Sequence, residues 1–446
     1  MYENSTQALM SFLEKSPTPF HVVANMRSRF KELGYEELYE GNRWDLKEGG
    51  RYFVVRNESS FIAFRVPASG FRGFQIASAH TDSPCFKIKG EKPEIEEGDT
   101  YVKLNVEGYG GMLMAPWFDR PLSVAGRVIV KEKSTKNNDV VRLLTRLIDV
   151  ERDLLMIPNL AIHMNRKAND GIAYNVQKDL LPLFGEIESK GDFMKLIAQS
   201  AGVSEDEIIS SDLYLYSRTK PTVWGGRNEF VSAPRLDDLQ CTFSIMQAFS
   251  DAEDNCAAVT VFAAFDNEEV GSGTKQGADS TFLRDVLERI GEAFDMTRAE
   301  IAAAIASGFM VSADNAHAVH PNAAEKTDPV NKPKMNKGIV IKYNANQKYT
   351  TDAVSAAVFK QICDRAEVPY QEFVNRSDMP GGSTLGNISN AHVSLNSVDI
   401  GLAQLAMHSP YETAGVRDTE YLIRALKCFF EAHIADEGCG KYLLNL

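Results

Sequence analysis

Three short runs between residues 51 and 80, RYFVVRN, SFIAFRVP and GFQIASAH, are rich in β-branched and aromatic residues and bounded by Gly, Asn or Ser. Such runs predict strands. Ahead of them, apolar positions recur at helical spacing around 4–15 and again over 19–33, the second stretch opening after SPTP, where proline favours a helix start. From about residue 88 the pattern changes: KIKGEKPEIEEGDTYVKLNVEGYGG and SVAGRVIVKE predict a strand-rich insert with tight turns. A charge-decorated helical stretch over 187–209 interrupts it, and SDLYLYSRTKPTVWGG returns to strand.

Beyond residue 223 the text alternates. DDLQCTFSIMQAFSD, STFLRDVLERIGEAF, AVSAAVFKQICDRA and TEYLIRALKCFFEAHIA have helical periodicity, while AAVTVFAAF, GFMVSAD, GIVIKYN and PYQEFVN read as strands. Alternation of this kind predicts an α/β fold with a mixed, mostly parallel sheet covered by helices on both faces. Boundaries near 87 and 223 divide the chain into one unit made from its two ends, 1–87 and 223–446, and a β-rich insert, 88–222. No internal repeat, heptad or low-complexity tract is visible.

Composition narrows the partners. The 446 residues, 44% of them hydrophobic, suffice for two cores. A formal net charge of −13 argues against a general nucleic-acid or anionic-membrane surface, and it repels acidic ligands unless local cations offset it. No stretch has the pattern of a signal peptide or a bilayer span. Six cysteines without CxxC spacing point to reduced, mostly buried thiols in a cytoplasmic protein.

In open α/β sheets the reacting groups gather at the carboxyl ends of strands. Here those ends carry His80 and Asp82, then Glu268 and Glu269, Asp314 with His317 and His320, and His408, while Asp237 and Asp238 precede a helix. A single histidine such as His21, His392 or His433 is ordinarily structural, and Asp237 or Asp238 alone could be a helix cap. Five segments that each offer His, Asp or Glu point instead to a zinc-like ion. Residues i and i+2 of an extended chain face the same way, so Asp82 can orient the ring of His80. Adjacent Glu268 and Glu269 point apart, which suits one as a metal ligand and the other as a base for water in a two-metal hydrolase. GSGTKQG lacks dinucleotide-loop spacing, and PGGSTLG lacks the GK[ST] of a phosphate loop.

Taken in order, SPTPFHVV, SAHTDSP, WFDRPLSVAGRV, IPNLAIHMNR, SAPRLDDL, FDNEEVGS, SADNAHAVHP, GIVIKYN, PGGSTLGNIS and MHSPYETAG resemble the aspartyl aminopeptidase family of dinuclear-zinc exopeptidases over nearly the whole chain. The resemblance implies a zinc-exopeptidase-like catalytic domain from the two chain ends and a dimerisation domain from the insert. It implies two divalent ions, Zn2+ with Co2+ or Mn2+ as alternatives, one on His80 and Asp314, the other on Glu269 and His408, with Asp237 bridging. Glu268 would be the general base and Asp82 the partner of His80. His163 would reach across a dimer into the neighbouring site, and Lys342 would pair with an acidic substrate side chain. Such enzymes are cytoplasmic dodecamers built from dimers and cut N-terminal Asp or Glu from peptides with a free N-terminus. Some relatives accept other residues, and a related dimetal carboxypeptidase or N-deacylase uses similar ligands. Asp238 stands where the family often has asparagine, an extra carboxylate expected to raise metal affinity or favour another ion.

Overall fold

Every residue of the strands Gly73–His80 and Ala258–Phe265 is buried. This explains their unbroken apolar text, because a strand covered on both faces has no solvent side toward which to alternate. In the computed structural model, which describes residues 2–132 and 140–446, they lie at the centre of a 13-stranded mixed sheet. Ala258–Phe265, Gly73–His80, Phe309–Ala313 and Asn396–Leu405 run parallel, side by side in that order. Toward the edges the pairing turns antiparallel, with Ser60–Arg65 against Ala258–Phe265 on one side and Ile339–Tyr343 against Asn396–Leu405 on the other.

Helices cover both faces. Leu9, Met26, Phe249, Phe359 and Phe429, from five different helices, fill the core on one side, and Phe282, Leu287, Ile290 and Ala304 fill it on the other. Burying the Leu, Ile, Met and Phe side chains among these contributes about 1.5–3 kcal/mol each. A second, five-stranded antiparallel sheet has the order Leu143–Asp149, Leu122–Lys131, Ile208–Ser217, Cys85–Ile88, Val106–Tyr109, and its own core of Phe86, Trp117, Val124 and Leu213. From this sheet the Arg127 guanidinium reaches a helix and a turn of the first unit, 4.2 Å from the Phe20 ring centroid and donating to the Asn57 carbonyl at 2.8 Å.

Several elements differ from the sequence expectation. The helical stretch over 187–209 contains one α-helix, Phe193–Ala201, which Gly202 ends in the left-handed region at φ 68°, with short 3-10 turns at Ile187–Ser189 and Glu205–Glu207. The last long helix, Asp418–Glu431, stops short of the HIA of its motif because His433–Gly438 pairs with Lys441–Asn445 as a hairpin. A further helix, Arg298–Ala306, opens on a capping box between Thr297 and Glu300 that the apolar pattern alone does not show. All six cysteines are free, but only Cys241 and Cys363 are buried, and Cys256 and Cys439 are exposed. No helix among the described residues is long and apolar enough to cross a membrane.

Two positions generate predictions. A Cβ on Gly401 would lie 1.9 Å from the Asp314 carbonyl oxygen, so this strand can pass the Asp314 backbone only without a side chain. Gly401→Ala is expected to cost about 1–3 kcal/mol through forced backbone displacement, seen as a lowered Tm; an unchanged Tm would remove the constraint. His21 is half-buried, with Nδ1 2.8 Å from the Thr18 hydroxyl, and burial pushes its imidazole down to about 4. The folded chain therefore resists its protonation, and the stability that a neutral His21 supports is lost as pH falls from about 6.5 toward 4. His21→Gln should reduce the fall in unfolding free energy across that window, read from denaturant melts, by about 1–2 kcal/mol; an equal slope in both proteins would refute it.

Candidate metal centre

The four parallel strands finish at one rim, and the residues just past their ends converge there. His80 closes Gly73–His80, Glu268 and Glu269 form a 3-10 turn after Ala258–Phe265, Asp314 follows Phe309–Ala313, and His408 follows Asn396–Leu405. Asp237 enters from the start of Leu236–Asp251, just after Arg235 in the left-handed region at φ 60°. Asp237 and Asp238 are joined by a cis peptide bond, have non-helical backbone angles, and neither caps the helix.

One ligand atom from each of His80, Asp237 and Asp314 lies within 4.8 Å of the others, and the same holds for Asp237, Glu269 and His408, and for His80, Glu268 and Glu269. Asp237 belongs to two of these groups. Both histidines are turned alike. His80 Nδ1 is 3.1 Å from the Asp82 carbonyl oxygen and 3.3 Å from its Oδ1, which leaves Nε2 facing Asp237 Oδ1 at 3.6 Å. His408 Nδ1 is 2.5 Å from the Gly111 carbonyl oxygen, while Nε2 faces Asp237 Oδ2 and Glu269 Oε2, each at 3.4 Å. An Nδ1–H that donates outward fixes the tautomer and points the Nε2 lone pair into the site.

Asp82 does more than orient His80. Fully buried, it accepts the backbone N–H of Glu268 on Oδ1 and that of Glu269 on Oδ2, each at 3.1 Å, and Oδ2 also accepts the Tyr109 hydroxyl at 2.7 Å. Glu412 plays a matching part opposite, with Oε2 accepting from Asp237 N at 3.0 Å and Oε1 from His408 N at 2.8 Å. Sequence reasoning missed Glu412. It stands in SPYETAG four residues after His408, a separation that the strand-end argument does not reach.

So many carboxylates in one place alter one another. Burial, then the charges of Asp314, Asp82 and Asp237, raise Glu268 to about 7, and Glu269 goes well above its ordinary value, by burial and then by Asp237. Asp314 is raised by burial against the pull of Lys342. Asp237 is also buried, yet hydrogen bonds to His408 and His80 hold its carboxyl below the usual range. Despite burial, Asp237 lifts His408 to about 9, and Asp237 with Asp82 lifts His80 well above normal. The site calls for positive charge. Asp237 Oδ1 and Glu269 Oε1 are buried without a hydrogen-bond partner among the described residues, a costly state for a carboxylate. A mixed His and carboxylate donor set fits a zinc-like divalent ion.

The remaining predicted residues fall in different places. Lys342 is buried, with Nζ 3.8 Å from Asp314 Oδ1 and 5.5 Å from the Tyr349 ring centroid, so it is no snorkelling surface lysine. His163 is exposed and joins none of the three groups. Asp238 joins none either; it accepts the His80 backbone N–H at 3.3 Å, and burial keeps its carboxyl well above the normal range. His317 and His320 are exposed and outside the groups.

Comparison with known proteins agrees with this chemistry. A family profile described as "Aminopeptidase I zinc metalloprotease (M18)" matches residues 12–430. A protein of Clostridium acetobutylicum named "Probable M18 family aminopeptidase 2" is 47% identical over 430 residues, covering 95% of this chain and 97% of its own. Among solved structures, the cryo-EM complex of Ape4 and Nbr1 includes a chain that superposes with TM-score 0.91 at 36% identity, over 96% of this chain and 86% of that one. The Saccharomyces cerevisiae mApe1 dodecamer superposes with TM-score 0.83 at 27% identity, over 96% and 97%. The chain therefore belongs to the M18 family of zinc metalloproteases and is a metal-dependent aminopeptidase.

Proposed function

We propose that this aminopeptidase removes N-terminal residues, Asp and Glu by preference, from peptides with a free N-terminus, using two divalent ions. The observation that carries this reading is the Asp237 carboxylate, whose Oδ1 faces His80 Nε2 at 3.6 Å while its Oδ2 faces His408 Nε2 at 3.4 Å. His80 and Asp314 would hold one ion, Glu269 and His408 the other, and Asp237 both; zinc suits the donors, with cobalt or manganese as substitutes. When bound, such ions polarise the scissile carbonyl and make water more acidic.

Glu268 is then the side chain that takes the proton from the attacking water and returns it to the leaving amine, standing beside His80 and Glu269 without being needed as a ligand. Asp82 holds the backbone of both glutamates in register. Lys342 supplies the local cation that a chain of net charge −13 requires for an acidic side chain, in a buried position where a charge is weakly screened. The chain ends 1–87 and 223–446 form the catalytic unit and 88–222 the dimerisation unit, a division supported by the separate core of the second sheet. Assembly into a dodecamer from dimers, with His163 of one subunit completing the neighbouring site, is supported by the dodecameric yeast relative and by the exposed Leu160, Ile162 and Met164 around His163. Free thiols support a cytoplasmic location.

Two substitutions test this function. Glu268→Gln should lower kcat by about 10²–10⁴-fold while metal content and Tm stay at parental values; near-normal turnover would end the role of Glu268 as base. Lys342→Met should reduce kcat/KM for an N-terminal Asp peptide by about 10–100-fold relative to a Leu peptide, as expected for loss of one charge-assisted contact. An unchanged Asp-to-Leu ratio in steady-state assays would remove Lys342 from specificity.

A further inference from the structure

Tyr109 ends the strand Val106–Tyr109 of the second sheet, yet its hydroxyl lies among the residues of the metal centre. It donates to Asp82 Oδ2 at 2.7 Å and accepts from Asn267 Nδ2 at 2.8 Å. Asn267 is the left-handed residue, φ 63°, that starts the Glu268–Val270 turn. The same Asp82 carboxylate accepts the backbone N–H groups of Glu268 and Glu269. One hydroxyl thus touches both supports of the turn that carries the two glutamates.

The chain beyond Tyr109 approaches as closely. Gly110, at φ 76°, has room for a Cβ only 3.1 Å from Glu269 Cβ, Gly111 offers its carbonyl to His408 Nδ1, and Leu113 N donates to the His408 carbonyl at 3.0 Å. The ring of Tyr109 packs edge-on against Tyr214, centroids 5.8 Å apart, so its position is set by the second sheet. Burial and the neighbouring Asp82 keep the phenol protonated and therefore a donor.

We propose that Tyr109 is a positioning residue of the aminopeptidase reaction: its hydroxyl, delivered from the insert, fixes the Glu268–Glu269 turn through Asp82 and Asn267, so that the seating of the insert sets the geometry of the catalytic carboxylates. The proposal rests on the reading of Glu268 as the base for its kinetic consequence, and on the hydrogen bonds alone for its structural one.

The test is Tyr109→Phe, which keeps the ring and removes the oxygen, measured on the full-length protein loaded with cobalt. A kcat lowered about 10–100-fold, with KM within about threefold, is the size expected when a hydrogen bond supporting the residues around a metal site is lost. Metal stoichiometry and Tm should stay near parental values, and the cobalt visible absorption should shift because Glu269 is less firmly held. Tyr214→Phe, in the same junction but without a hydrogen bond to Asp82, should leave kcat unchanged. Incorporation of 3-fluorotyrosine at 109, which restores the donor, should bring kcat back to within about threefold. In a Glu268→Gln background, Tyr109→Phe should lower kcat no more than about threefold further, because the two act in one chain. A Tyr109→Phe protein with parental kcat and an unshifted cobalt spectrum would overturn the proposal, as would a loss fully explained by lost metal or lost folding, or a failure of the fluorotyrosine protein to recover. The base assignment fails separately: Glu268→Gln would then be active, while the cobalt spectrum would still report on the turn.

Discussion

Mutual repulsion among carboxylates governs the candidate metal centre. Asp82, Asp237, Asp238, Glu268, Glu269 and Asp314 converge at one rim of the sheet, and burial removes the water that would screen them. Hydrogen bonding is rationed accordingly. Asp82 has three N–H or O–H donors beside its contact with His80, while Asp237 Oδ1 and Glu269 Oε1 have none among the described residues. The satisfied carboxylate is held as scaffold, and the unsatisfied ones keep an oxygen free to bind a cation. Lys342 beside Asp314 offsets part of that charge, and a divalent ion suits the rest.

Much of this was legible in the sequence because parallel strands advertise themselves. Gly73–His80 and Ala258–Phe265 are continuous apolar runs, and a run that ends abruptly on His, Asp or Glu marks a functional strand end. The helix in Leu236–Asp251 was equally plain, but the non-helical backbone at Asp237 and Asp238 was not, since it depends on how the preceding Arg235 turns. Glu412 escaped notice because its role lies in accepting backbone N–H groups at Asp237 and His408, and an acceptor of that kind leaves no pattern in residue types. The hairpin at 433–445 was lost to a helical period that ran on past Glu431. Periodicity describes a face, and it says little about where pairing with a later segment takes over.

The second sheet contributes to the site through backbone as much as through side chains. Gly111 and Leu113 hold His408 by main-chain atoms, so no residue type in EGYGG marks the contact. Tyr109 contributes by its side chain, and a tyrosine at a strand end reads as ordinary packing until its hydroxyl is traced to Asp82.

The order of strands in the main sheet also bears on how the protein is made. Ala258–Phe265, Gly73–His80, Phe309–Ala313 and Asn396–Leu405 stand side by side, so the rim needs segments from both ends of the chain. His408 follows the fourth of these strands, and the helix Asp418–Glu431 that packs on Leu236–Asp251 comes later still. Synthesis proceeds from the N-terminus, and a nascent fragment that stops before Asn396–Leu405 holds its carboxylates without their second histidine. The two histidines of the rim thus enter from opposite parts of the sequence, and neither part alone gathers the whole set of side chains.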